Sequence, residues 1–395
     1  MSLLRVENLT KVFGPRPRRG LALFDQGLSR DQIRKKTGLT LGIADVSFEV
    51  QKGEIMVIMG LSGSGKSTLV RCINRLIEPT RGRITIDGED VVAMNRDELL
   101  NLRRHRVSMV FQGFALFPHR TVVDNASYGL EVMGVARKKR RDKAYETLEL
   151  VGLKGWEEHR PVELSGGMQQ RVGLARALAV DPEIILMDEA LSALDPLIRK
   201  DMQNELIDLQ RKVAATIIFI THDLDEAINL GDHIVLMKDG LVVQKGTAEQ
   251  ILTNPASRYV ERFVEDVDMS TVMTAESVMR KARDVAHDQD GPQTVLRKMR
   301  DAGLSEMFVV DSHNVLKGMV RAERVAERAR QSGGDGAWFD AQIKTAAPDT
   351  TLQDLLPMMT DNRDPIAIID DKRRLRGVVV IGALLSGLVE GAATS

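Results

Sequence analysis

Eight consecutive residues, Gly60-Leu61-Ser62-Gly63-Ser64-Gly65-Lys66-Ser67, carry the most specific chemistry in this chain. Glycines at that spacing allow a tightly curved loop whose amide hydrogens turn inward, and a helix starting at its end adds positive potential. Such a loop holds phosphate. Lys66 reaches the β- and γ-phosphates, and the Ser67 hydroxyl completes a Mg2+ shell. Further on, Asp188 ends the apolar run Ile184 to Met187, where a carboxylate can hold the magnesium, and Glu189 follows at once. A second carboxylate beyond the metal-bound one suits orientation of an attacking water.

These groups need elements to position them. Ile55-Met56-Val57-Ile58-Met59 precedes the loop as a buried strand, and Thr68-Leu69-Val70-Arg71-Cys72-Ile73 follows it as a helix. Glu183 to Asp188 and Ala215 to Ile220 add buried strands, so the expectation is an α/β nucleotide domain on a parallel sheet. Leu4 to Val6 and Ala44 to Val50 read as short strands. Between them an insertion, residues 16–42, holds Ser29-Arg30-Asp31-Gln32, a capping-box pattern that opens a short helix. A tolerated surface insertion and a specific docking element are both open readings of it. Ala136 to Glu149 reads as a helix whose basic run, Arg137 to Arg141, is expected to be a solvated face.

Composition sets limits. The 55 Lys+Arg against 56 Asp+Glu give a net charge of −1, so no nucleic-acid partner is expected. One cysteine, Cys72, excludes an intrachain disulfide, and the seven histidines lack metal-ligand spacing. The best membrane candidate, Gly377 to Val389, has 13 residues, short of the ~20 a spanning helix needs. No signal-peptide core follows Met1, so a cytoplasmic protein is expected.

A second region begins after about Asp266. Val309-Val310-Asp311 with Leu316-Lys317-Gly318-Met319-Val320 recurs as Ile368-Ile369-Asp370 with Leu375-Arg376-Gly377-Val378-Val379, offset by 59 residues. Each copy reads as strand, acidic turn and strand, with a helix upstream at Thr294 to Ala302 or Thr351 to Met359. Arg328 to Asp340 reads as the joint between copies, and neither copy has much core alone.

The discriminating motif is Leu164-Ser165-Gly166-Gly167-Met168-Gln169-Gln170-Arg171. With it the chain resembles the ATP-binding subunit of an ABC transporter: a P-loop NTPase domain with a helical subdomain, here followed by a tandem α+β CBS module. Gln112 resembles the Q-loop glutamine, Ser192-Ala193-Leu194-Asp195 the D-loop, and Thr221-His222-Asp223 the switch histidine. The early insertion, Phe117-Pro118-His119 and the repeat are similar to the glycine betaine/proline (quaternary amine) importer ATPases. That likeness divides the chain into an ATPase domain at 1–265 and CBS units at 272–330 and 341–390.

The resemblance implies an ATPase using ATP and Mg2+, with Glu189, His222 and Gln112 catalytic and Ser67, Gln112 and Asp188 around the metal. Phe13 would stack on adenine. Gly60, Ser62, Gly63, Gly65, Lys66, Ser67 and Thr68 would hold phosphate. Ser165, Gly166, Gly167 and Asp195 would complete the partner's site in a head-to-tail homodimer. It further implies an integral-membrane permease, indirectly a solute-binding protein, and a peripheral place on the cytoplasmic face of the inner membrane. An importer ATPase for another small solute and a soluble non-transport ABC ATPase are the alternatives. The CBS pair is expected to regulate in response to osmotic or ionic strength. Arg321, Arg324, Val380 and Ala383 stand where ligand-binding CBS units often carry Ser/Thr and Asp, which favours packing or electrostatic sensing over nucleotide binding.

Overall fold

The computed structural model describes residues 2–113, 115–192, 194–265, 267–330, 339–360 and 364–386. The chain divides into two compact units, 1–264 and 265–395.

In the first unit a six-stranded sheet runs in the order Leu241–Gly246, His233–Lys238, Ile55–Met59, Thr216–Thr221, Ile184–Asp188, Val107–Val110. All neighbours are parallel except the antiparallel edge strand Leu241–Gly246. The central strands Ile55–Met59, Ile184–Asp188 and Thr216–Thr221 are buried at every residue, as continuous apolar runs covered on both faces should be. One face packs on the helices Gly166–Leu178 and Pro196–Val213 through Met187, Phe219, Leu174 and Leu206. The other packs through Ile58 and Ile220 on Leu4, Val6 and Ile84 of a second, antiparallel sheet.

That second sheet, ordered Thr40–Gln51, Ser2–Phe13, Arg81–Ile86, Glu89–Asp90, corrects the expectation of two short strands. Both leading strands are 12 residues long. Register shifts between Val6 and Leu9, and again between Leu9 and Lys11, break the period-two pattern that would have announced them. The insertion contains two helices, Pro17–Asp25 and Arg30–Thr37, where one was expected. The helix Arg137–Leu150 keeps Arg137, Lys138 and Lys139 exposed. Arg140, however, pairs with Glu131 at 3.3 Å, and Arg141 with Asp124 at 3.0 Å, so that end of the basic run is a structural brace rather than a free face.

The second unit holds two three-stranded sheets, Ala286–His287, Glu306–Val310, Leu316–Arg321 and Thr345–Ala346, Ile366–Ile369, Leu375–Val379. The antiparallel pairings Met307↔Val320 and Phe308↔Met319 recur 59 residues later as Ile366↔Val379 and Ala367↔Val378. Asp311 accepts from the amides of His313 and Val315, and Asp370 does the same for Lys372 and Arg374. The copies also exchange bonds, Leu316 N to Arg373 O and Leu375 N to Asn314 O, each 3.0 Å. Their facing sheets bury Phe308, Val310 and Leu316 against Ala367 and Leu375. Residues 331–338 of the expected joint, and 387–390 of the second copy, lie outside the described residues, and Arg328 belongs to the helix Ala322–Arg330.

Candidate functional site

The phosphate loop leaves the strand Ile55–Met59 and feeds the helix Lys66–Ile73. Gly60 has φ +148°, and a Cβ there would come within 2.2 Å of the Met237 carbonyl, so only glycine fits. The Lys66 ammonium is buried at the centre of the loop, donating to the carbonyls of Gly60 (2.7 Å) and Leu61 (3.3 Å). Burial lowers its pKa, while Glu189, 3.7 Å away, and Asp188 pull it back up. Ser62 is exposed on the crown of the loop.

Two carboxylates face this loop from the end of the strand Ile184–Asp188. The Ser67 hydroxyl donates to Asp188 Oδ1 at 2.8 Å. Arg71, one turn further along the helix, donates to Asp188 Oδ2 at 3.2 Å. Glu189 sits at φ +49° immediately beyond the strand, and this turn aims its side chain back across the loop. Gln112 Nε2 donates to Glu189 Oε2 at 3.0 Å, and His222 Nδ1 stands 3.8 Å from the same oxygen. Lys66, Ser67, Gln112, Asp188, Glu189 and His222 therefore share one site.

Phe13 ends the long first strand, and its ring lies against Gly42, where a Cβ would approach within 2.6 Å of Phe13 and 3.4 Å of Thr68. The aromatic face thus stands beside the phosphate-loop helix, part-exposed, with Lys11 5.1 Å from its centre. A donor set of hydroxyl, carboxylate and amide oxygens from Ser67, Asp188 and Gln112 fits Mg2+, a hard cation. Among the described residues no cluster of three His, Cys, Asp or Glu could hold a metal by itself.

Ser165 lies elsewhere, exposed at the start of the helix Gly166–Leu178, where its hydroxyl caps the Met168 amide. Gly166 is exposed and Gly167 buried, a Cβ on Gly167 meeting Ile198 at 2.8 Å. Among the described residues no hydrogen bond joins Ser165 to the phosphate loop of its own chain. Asp195 caps the helix Pro196–Val213 through the Ile198 amide. Ala193 is outside the described residues.

Four contributors went unread in the sequence. Arg71 steadies Asp188, and its place one turn past Ser67 was a usable signal. Arg199 donates to the Leu194 carbonyl at 3.0 Å and to Asp223 at 3.4 Å, linking the segment before Asp195 to the residue after His222. Glu226, buried and with its pKa raised chiefly by desolvation, accepts from Thr221 and supports the same turn. Asn125, fully buried, clamps the Phe117 amide and carbonyl and so fixes the loop after Gln112. The bonds of Arg199 to Leu194, of Glu226 to Thr221 and of Asn125 to Phe117 span only five to eight residues, but no motif names them.

A family model for ABC transporters matches residues 43–192, and one for the CBS domain matches 340–390. The chain is 51% identical over 385 residues to the glycine betaine transport ATP-binding protein of Bacillus subtilis (strain 168), covering 98% of this chain and 92% of that one. This chain belongs to the ABC transporter ATP-binding subunits. It is also 46% identical over 389 residues to the glycine betaine/proline betaine transport system ATP-binding protein of Escherichia coli (strain K12), covering 98% of this chain and 97% of its relative. Among solved structures, the ATP-binding cassette MJ0796, a dimer in a post-hydrolysis state bound to ADP and Pi, is 32% identical. It matches 62% of this chain and 98% of its own, with a TM-score of 0.53. An ABC ATPase subunit binds ATP, and this one hydrolyses it in the service of transport. No helix among the described residues is long and apolar enough to cross a membrane.

Proposed function

We propose that this chain powers import of glycine betaine, proline betaine or a related quaternary amine through a separate membrane permease. The observation that carries this is near-full-length likeness, at 51% and 46% identity, to proteins named for that transport. The site supports the chemistry: Lys66 holds the β- and γ-phosphates, and Phe13 stacks on adenine. Ser67, Asp188 and Gln112 hold Mg2+, which when bound neutralises charge on the phosphates. Glu189 accepts a proton from water aimed at the γ-phosphate, and His222 orients that γ-phosphate across the same oxygen.

Ser165, Gly166 and Gly167, exposed or at a helix start away from their own phosphate loop, complete the site of a second copy in a head-to-tail homodimer. Asp195 lies on the same shared face. The permease docks in a groove of about 280 Å³ beside Gln112, lined by Met109, Phe111, Tyr128 and Val132 with Arg103 and Arg104 on its rim. Phe111 and Val132 are exposed there. The subunit then sits on the cytoplasmic face of the membrane, and a solute-binding protein acts only through the permease. The two copies, offset by 59 residues, form a CBS pair that regulates transport rather than powering it.

Recovery of the tagged chain from mildly solubilised membranes tests the assignment. A co-purifying integral-membrane permease is expected. Repeated recovery without one, with a nucleic-acid or ribosomal partner instead, contradicts it.

A further inference from the structure

The excursion between Phe13 and Thr40 has no part in the chemistry above. It leaves the antiparallel sheet at Phe13 and returns at Thr40, the residue paired with Phe13, so its base lies beside the adenine-stacking ring. A core of its own holds it there: Ile33, Leu39 and Leu41 are buried with Val12, and Leu23 and Phe24 pack on them. A Cβ on Gly20 would come within 2.8 Å of the Val12 side chain, so the first helix lies flush on the strand. Asp25 pairs with Arg81 at 2.8 Å. The insertion is fastened to the sheet along its length.

Its second helix starts with a reciprocal cap: the Gln32 amide donates to Ser29 Oγ, and the Ser29 amide donates to Gln32 Oε1 at 2.9 Å. That cap makes Arg30 the first helical residue. From there the half-buried Arg30 donates from Nη1 to the carbonyl of Gly63 at 3.0 Å. Gly63 is on the crown of the phosphate loop with φ +77°, a conformation glycine enters and leaves freely. The amide of the same peptide, Ser64 N, donates to Leu61 O at 3.1 Å, and Gly240 N, from the turn between the last two strands of the six-stranded sheet, donates to Ser64 O at 2.9 Å. Only the Arg30 bond holds the Gly63 carbonyl from outside the loop among the described residues. Without Arg30 that peptide would be held only through its amide, Ser64 N to Leu61 O.

We infer that Arg30 is a positioning residue for nucleotide binding. It acts through the Gly63 carbonyl, keeping the loop in its anion-accepting shape, and adds a positive charge at the rim. The inference rests on the ATP-binding reading of the site.

The test uses the full-length purified chain, with MgATP affinity measured by displacement of a fluorescent nucleotide and steady-state hydrolysis measured alongside. Arg30→Ala is expected to raise Kd and KM together by about five- to tenfold, the order of one ordinary hydrogen bond, with kcat within about twofold of the parent. Arg30→Lys recovers part of the loss. Gln32→Ala, which loosens the helix start but keeps the guanidinium, stays near the parent. Parent-like affinity in Arg30→Ala overturns the inference, and so does an equal loss in Gln32→Ala, which would make the helix itself the cause. Should Arg30→Ala not fold, Arg30→Gln is compared with Arg30→Lys, and parent-like affinity in both has the same force. A parent chain that does not bind MgATP overturns the ATP reading instead.

Discussion

Gln112 Nε2 donates to Glu189 Oε2 at 3.0 Å. The bond ties the carboxylate best placed to activate water to the residue that follows Phe111 on the wall of the docking groove. If the permease docks in that groove as proposed, a shift of it there would reach Glu189 through a single side chain, a physical route from docking to hydrolysis.

Glu189→Gln keeps the size and the hydrogen bond to Gln112 but removes the basic oxygen. Turnover is expected to fall by about 10²–10⁴-fold, the usual scale for a general base, while MgATP affinity stays near the parent. A paired binding and hydrolysis assay reads both, and near-parent turnover would remove Glu189 from this role.

Lys66→Ala acts earlier than chemistry. It takes the buried ammonium from the loop centre, so nucleotide affinity falls. Mixing Lys66→Ala chains with Ser165→Arg chains then separates shared sites from private ones. If sites lie between chains, each mixed dimer has at most one intact site, and measurable hydrolysis returns. Neither variant alone supplies it, and mixtures as inactive as each variant alone contradict the shared site.

Cys72 lies fully buried in the helix that follows the phosphate loop, and burial pushes its thiol up to about 12. The folded state therefore disfavours the thiolate. This contribution to stability is whole below the unfolded value of 9.0 and is lost as pH rises through about 12. Denaturant midpoints measured from pH 8 to pH 11 should fall more steeply in the parent than in Cys72→Ala. Parallel curves would mean that the thiol titrates normally.

The chemistry was far more legible than its supports. Loop spacing singled out Lys66 and Ser67, the end of an apolar run singled out Asp188 and Glu189, and the fold brings the four side chains together. The 59-residue repeat was legible because Asp311 and Asp370 shape identical turns. The long first strand was not, since its register shifts erase alternation after Val6. The helix Pro17–Asp25 was hidden by Gly20, a poor helix former used there for close approach to Val12. Arg199 and Asn125 hold neighbouring turns through side-chain bonds that no motif announces.

Arg321 and Asp364 form an ion pair of 2.5 Å between the two CBS-like copies, with Arg321 part-exposed. At this separation salt screens the pair only in part, since the screening length at 0.1 M is about 10 Å, so removal of the Arg321 charge is the stronger perturbation. If the module sets the ionic threshold of transport, Arg321→Gln should shift activation of uptake to lower internal salt, with maximal uptake per assembled transporter unchanged. Superimposable activation curves would show that this pair has no regulatory part.

The most direct test of the transport assignment is solute accumulation. Vesicles containing the chain with its co-purified permease and solute-binding protein are loaded with MgATP and supplied with labelled glycine betaine. Accumulation is predicted with the parent, and loss of it with Glu189→Gln at equal assembly. Hydrolysis by the assembled parent with no accumulation of glycine betaine, proline betaine or another quaternary amine would contradict the account.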